Sequence, residues 1–324
     1  YVLIVLIMVD RDKKLILIGC GKRGLGHLKA MDKFNKSPDV FCDFNSSSID
    51  KISKTYKNST FFSDIDSLLK SINLKNENYA IVAVDAKNNY SIAKKLLSNG
   101  INVLMEKPPG LSLDEGNSLV KASSNLECFI GFDRRFNPYV LKSIEILKDY
   151  GEIFNIHAEF NKNIYEWIGH RAFDENLLDK MVLESPIHSI DLVNYLCGSD
   201  ISKVYASSRR YDSKYRTSFG ALIEYKNGSL GTINSSYLSP VRLEKYSIHA
   251  KNCSIYLDGI NSGKIFYNSK IFDMKIDYDL SSTELQMKNY LESIFEGKEF
   301  LGAKIEDSLN IFKITEKMFE NTIT

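Results

Sequence analysis

Five short, continuous apolar runs, each followed by a turn or a helix-spaced segment, most constrain what this chain can fold into. They are "KLILI" (Lys14–Ile18), "VFCDF" (Val40–Phe44), "YAIVAV" (Tyr79–Val84), "INVLME" (Ile101–Glu106) and "ECFIGF" (Glu127–Phe132). Runs without polar alternation suit strands covered on both faces, and strands separated by helices predict a parallel sheet with right-handed crossovers. Helix signals lie between them: Ser48 and Ser63 as N-caps, a capping box from Ser112 to Glu115, and Gly100 closing "NYSIAKKLLSN". Beyond Phe132 the rhythm changes. A helix runs from Pro138 to Gly151, then period-two stretches such as "IFNIHAEFN", "VYASSRRY", "FGALIEY", "LGTINSSY", "YSIHA" and "SIYLDG" predict antiparallel sheet. Asn227-Gly228 is a hairpin signal, Gly198 stops the helix "HSIDLVNYLC", and two helical segments close the chain.

The predicted fold class is α/β in two domains, residues 1–132 and 133–324, which a chain of 324 residues with 44% hydrophobic content is long enough to bury. Forty-two basic against 41 acidic residues leave a net charge of +1, which argues against nucleic acid or an anionic membrane as partner. Five cysteines without a C-x-x-C pair and five scattered histidines predict free thiols, a cytoplasmic protein and no metal site. The opening "YVLIVLIMVD" is shorter than the ~20 apolar residues of a span, so residues 1–7 are set aside and Met8 is read as the start.

The stretch "LILIGCGKRGLGHL" carries glycines at 19, 21 and 24 between a strand and a helix. In that setting Gly19 permits the tight turn, Gly21 lets the backbone approach a pyrophosphate, and Gly24 allows close packing of helix on strand. The helix N-terminus then offers free N–H groups to phosphates. Asp43 ends the second strand, where a carboxylate accepts hydrogen bonds from an adenosine ribose and repels a 2′-phosphate. NAD is therefore the expected cofactor. Ser46, Ser47 and Ser48 just beyond keep NADP open.

Three further stretches carry chemistry. "MEKPPG" places Glu106 and Lys107 at the carboxyl end of a parallel strand, where ligands of open α/β sheets bind. "GFDRRFNP" lies at the domain crossing, with Arg134 and Arg135 read either as ion-pair formers or as ligand contacts. "LESPIHSIDLVNYLCG" sets Glu184, His188 and Asp191 at four- and three-residue spacings. On a helix Glu184 and His188 would share a face, and a carboxylate beside an imidazole fixes its tautomer and raises its basicity.

With these residues the sequence resembles the glucose–fructose oxidoreductase/inositol dehydrogenase (Gfo/Idh/MocA) family, over nearly the whole chain. The resemblance rests on the glycine turn with His27 after it, the E-K-P segment, the G-x-x-R-R-F-N-P crossing and the H-x-x-D helix. It implies a Rossmann N-terminal domain and a C-terminal α+β domain with a large open, mainly antiparallel sheet that forms the contact of a homodimer or homotetramer. It also implies hydride transfer between NAD(P) and a carbinol carbon of a sugar, amino sugar, nucleotide sugar or cyclitol, with Lys107, His188 and Glu184 as the catalytic set. The cofactor set is then Gly19, Gly21, Lys22, Arg23, Gly24, Asp43, Val84, Asp85, Asn88, Glu106 and Lys107. Arg135, Trp167, Arg171 and Asp191 border the substrate. The chain departs from the family pattern at Glu184, where many members have Asp, and at Asp85-Ala86-Lys87-Asn88, where many have T-P-N. The Glu184 variant resembles a branch acting in surface-sugar or amino-sugar pathways. An NAD-dependent glycosidase using the same Lys107 and His188, or a cofactor-binding sensor without chemistry, are the rival readings.

Overall fold

The computed structural model describes residues 13–72 and 77–323; the opening segment with residues 1–7 and Met8 lies outside the described residues. The first sheet is built from β1 (Lys14–Ile18), β2 (Val40–Cys42), β3 (Thr60–Phe62), β4 (Asn78–Val82), β5 (Asn102–Met105) and β6 (Cys128–Ile130). These strands lie in the order β3-β2-β1-β4-β5-β6, all parallel. The order reverses between β1 and β4, and that switch point opens a crevice at the carboxyl ends of the strands. Helices α1 (Lys22–Asp32), α2 (Ser46–Ser53), α3 (Ile65–Ser71), α4 (Ala86–Leu97) and α5 (Leu113–Ala122) connect them. Leu15, Leu17 and Ile81 face one buried cluster, and Ile16, Ile18 and Val82 face the other, as a doubly covered sheet requires.

Three local readings shift. The cap of α2 is Asn45 rather than Ser48, and the cap of α3 is Asp64 rather than Ser63; each offers a carbonyl or carboxylate oxygen to an N–H of the first turn. Ser112 caps α5 as expected, but Glu115 reaches the N–H of Leu111 at 2.6 Å instead of closing the box. A complete capping box occurs at Ser281–Glu284, a spacing equally plain in the sequence.

The second half begins with a tight turn at Asp133–Phe136 and α6 (Pro138–Leu147). It continues through β7 (Asn155–Asn163), α7 (Glu175–Asp179), α8 (Ile187–Cys197), β8 (Ile201–Arg209), β9 (Ser218–Tyr225), β10 (Leu230–Ser236), β11 (Leu238–Ala250), β12 (Cys253–Asp258), β13 (Ser262–Tyr267) and β14 (Lys270–Asp273). Its nine-stranded sheet has the order β14-β13-β12-β11-β7-β10-β9-β8-β16, where β16 is Thr322–Ile323, and is mostly antiparallel. The hairpin signal at Asn227-Gly228 joins β9 to β10, with Gly228 at φ +86°. Between β13 and β14 the two-residue loop Asn268-Ser269 takes positive φ at both positions, a turn that sequence reading missed because serine stands where glycine is usual. Helix α9 (Ser282–Glu296) returns to pack on α1, and β15 (Ala303–Lys304) adds an antiparallel edge to the first sheet beside β6. Helix α10 (Asp307–Glu320) lies between α5 and β8. Among the described residues, no helix is long and apolar enough to cross a membrane.

Candidate active site

A groove of about 530 Å³ runs across the carboxyl ends of β1, β2 and β4. Of the residues expected there, Gly19, Gly21, Asp43, Val84, Asp85 and Asn88 line it. The turn after β1 has no room for side chains: a Cβ at Gly19 would stand 2.4 Å from the Ala83 carbonyl oxygen, and one at Gly24 would stand 1.9 Å from that of Gly19. At Gly21 a Cβ would meet nothing, because that side faces the open groove. Gly21 caps α1 without a side-chain bond, and the first turn carries no acid. The helix therefore presents uncommitted N–H groups and its positive end to the groove, a fit for a dinucleotide pyrophosphate. Asp43 is buried at the groove wall, its oxygens accepting from the N–H groups of Cys20 at 2.6 Å and Asn45 at 2.7 Å.

Lys22, Arg23 and Glu106, also expected at the cofactor, are not part of the groove lining. Glu106 is buried behind the glycine turn, where one oxygen accepts from Nε of Arg23 at 2.5 Å and faces Nε2 of His27 at 2.6 Å. Burial pushes the Glu106 carboxyl up, but Arg23 and His27 outweigh it and hold it below its ordinary range. Arg23 and Glu106 thus brace the turn, and Lys22 is exposed on α1.

Next to the groove, Lys107 leaves the end of β5 and donates from Nζ to the Glu184 carbonyl oxygen, with the Glu184 carboxylate 3.8 Å away. Glu184 lies in the turn before α8, and its carboxylate accepts from Lys162 Nζ at 2.9 Å and Tyr237 Oη at 3.2 Å. Two ammonium groups therefore share one carboxylate. Burial raises the Glu184 carboxyl, and Lys107 and Lys162 more than reverse it. The expected Glu184–His188 contact is absent: α8 begins only at Ile187, so the two residues are not one helical turn apart. His188 is instead faced by Asp133, whose Oδ1 lies 3.8 Å from Nδ1. Desolvation, aided by Arg134, holds the imidazole pKa well below the ordinary histidine value despite Asp133.

The expected substrate residues divide. Arg135 and Asp191 are buried in a two-pronged pair with each other, at 3.0 and 2.6 Å, and Arg135 also meets Asp307 at 3.0 Å. Both hold the crossing to α8 and α10, and Arg135 also lines a separate cavity with Asn194, Tyr195 and Asp307. Arg171 reaches the dinucleotide groove. Trp167 lies beside the Lys107 cluster, its ring 4.4 Å from Lys162 Nζ. Sequence reading missed Lys162, Asp133 and Tyr237. Lys162 had a signal, since it occupies the inward row of β7 after Ile156, Ala158 and Phe160, and a lysine in an apolar row requires a buried partner. Among the described residues no group of three or more His, Cys, Asp or Glu is arranged to hold a metal ion.

A glycine-turn cradle on a parallel sheet, joined to an open, mostly antiparallel sheet that contributes Lys162 to the cluster at Glu184, defines a two-domain dinucleotide-binding fold. Residues 13–133 match the NAD-binding Rossmann fold of the GFO/IDH/MocA oxidoreductase family and residues 147–256 match its C-terminal domain; the chain belongs to this family. It is 23% identical over 245 residues to the scyllo-inositol 2-dehydrogenase (NAD(+)) of Bacillus subtilis (strain 168), spanning 67% of each chain. In fold it is similar to UDP-N-acetylglucosamine 3-dehydrogenase from Acidithiobacillus ferrooxidans (TM-score 0.79, 16% identity, 96% and 98% of the two chains). It is also similar to the WlbA dehydrogenase from Bordetella pertussis, solved with NADH and UDP-GlcNAcA (TM-score 0.76, 17% identity, 96% of each chain).

Proposed function

We propose that this protein moves a hydride between NAD and a carbinol carbon of a sugar-like substrate: a sugar, amino sugar, nucleotide sugar or cyclitol. The observation that supports the reading is Lys107, at the end of β5, bound to the Glu184 carbonyl in the turn before α8, with His188 in the first turn of that helix. When bound, the nicotinamide supplies a two-electron hydride acceptor or donor. In the oxidative direction neutral His188 takes the hydroxyl proton while Lys107 donates a hydrogen bond to the same oxygen and stabilises its developing charge. Glu184 acts as a positioning residue: it tethers Lys107 and offsets the charge of Lys162. Asp133 offsets the charge that His188 acquires.

Asp43 supports NAD over NADP, because its buried carboxylate occupies the wall where a 2′-phosphate would sit. The named activities of the relatives, on scyllo-inositol and on UDP-N-acetylglucosamine, support the substrate class. Exposed Tyr205, Leu222, Leu230 and Tyr256 on the outer face of the nine-stranded sheet support a homo-oligomer assembled through that face. The test is incubation of the protein and NAD⁺ with a panel of nucleotide sugars, sugars and cyclitols while NADH absorbance is followed. One class of polyol that gives saturable NADH formation is the expected result. Failure of every class, in both directions, with intact NAD binding overturns the reading.

A further inference from the structure

Asp85 stands at the carboxyl end of β4, on the far side of the switch point from Asp43 and Asp64. It lines the groove together with Val84 and Asn88 and is exposed to it. An Asp at a helix N-cap ordinarily turns its carboxylate onto the first-turn N–H groups. Asp85 occupies that position on α4 without making a side-chain bond, and among the described residues its carboxylate has no hydrogen-bond or ion-pair partner. Nothing in the fold uses this carboxylate, which stands over the N-terminus of a 12-residue helix.

The groove gives it a direction. One end is bounded by Asp43, Asn45, Ser48, Ser63 and Asp64 at the ends of β2 and β3, and the middle by the glycine turn. The other end, at Asp85, leads toward Lys107 on β5, the adjacent strand. A dinucleotide with its pyrophosphate at Gly21 and its reacting ring at Lys107 must pass Asp85 with its nicotinamide half. Oxidised and reduced cofactors have the same shape there and differ by one positive charge on the ring.

We propose that Asp85 is a specificity-determining residue that favours the oxidised over the reduced cofactor by charge; the inference rests on the dinucleotide reading of the groove. The opposing cations are Lys87 and Arg171 on the groove wall, and Lys107, which Glu184 already engages. A single carboxylate several ångströms from the ring, in a half-open groove, should supply a preference of about threefold to tenfold.

The experiment is calorimetric titration of the full chain with NAD⁺ and with NADH, without substrate. Asp85→Asn should lower the NADH-to-NAD⁺ ratio of dissociation constants by about threefold to tenfold, and Asp85→Glu should keep it. Since Asp85 does not cap α4, the Asn variant loses no helix cap. Asp64→Asn, which retains a capping side chain at the other end of the groove, should leave the ratio where it was. A ratio unchanged in Asp85→Asn, including one in which both affinities fall equally, overturns this inference alone. A wild-type protein that binds neither cofactor form overturns the dinucleotide reading itself and this inference with it.

Discussion

One oxygen of Asp133 lies 3.8 Å from Nδ1 of His188, at the point where the chain passes from the parallel to the antiparallel sheet. The distance is too long for a hydrogen bond, so Asp133 acts on the imidazole through charge. Its oxygens are already engaged: Arg134 donates at 2.9 Å, and Arg23 and Thr283 at 3.3 and 3.2 Å. Burial raises the Asp133 carboxyl, but His188, Arg134 and Arg23 hold it well below the ordinary carboxylate range. The result is a fixed negative charge facing a buried imidazole.

On the proposed reading that ring transfers the substrate proton. His188→Asn should lower kcat by about 10²–10⁴-fold, the usual worth of a positioned acid–base group. NAD affinity, set at the glycine turn, should stay within about twofold, since only the proton-transfer group is altered. Steady-state kinetics with a calorimetric Kd checks both; full turnover in the variant removes His188 from the mechanism.

The depressed His188 pKa sets a pH dependence of definite sign. As pH falls below about 6.5, the unfolded chain takes up the proton while the folded chain resists it, so stability is lost with falling pH and is fully present above that value. The slope is at most about 1.4 kcal/mol per pH unit for one site, and His188→Asn should remove that share. Further loss should come at lower pH from Glu106, Glu184, Glu244 and Asp133, all held below their ordinary ranges. Urea melts between pH 5 and 8 read the histidine step; the acid limb of kcat/KM should fall below the ordinary histidine range.

The glycine turn separates a folding role from a binding role. Gly24→Ala drives a Cβ into the Gly19 carbonyl and should destabilise by about 1–3 kcal/mol, as overpacking does. Gly21→Ala meets no protein atom, so Tm should hold while the methyl occupies the pyrophosphate approach and NAD affinity falls. Thermal melts and NAD titrations of the two variants distinguish these effects; equal behaviour in both assays contradicts the assignment.

Among the described residues, Glu184 is the one acidic partner of Lys162 and of Lys107. Glu184→Gln leaves both ammonium groups uncompensated and should cost about 3–5 kcal/mol, the range for breaking a buried pair. Adding Lys162→Met should recover part of that loss, whereas independent sites would simply add. Denaturant melts of the two single variants and the double variant measure the coupling.

The parallel sheet was legible because its strands are apolar without alternation, and the cradle because glycines at 19, 21 and 24 follow such a strand. The Asp133–His188 approach was not. It joins residues 55 positions apart whose meeting depends on how the turn at Asp133–Phe136 docks on α8. Sequence spacing offered His188 a nearer acid in Glu184, and that inference needed a continuous helix from Glu184 to His188, whereas α8 begins only after Pro186. Arg135 and Asp191 read as ligand contacts for the same reason: nothing local shows that each is the other's partner.

The bonds from Arg134 to Glu244 and from Arg135 to Asp191 tie the short turn at the crossing to a strand and a helix 110 and 56 residues downstream. A hybrid cut after this turn and joined to a different downstream half would bring two guanidinium groups to a seam without their counter-ions. Exchange of sequence at that seam is thus restricted to donors carrying acids at the places of Glu244 and Asp191.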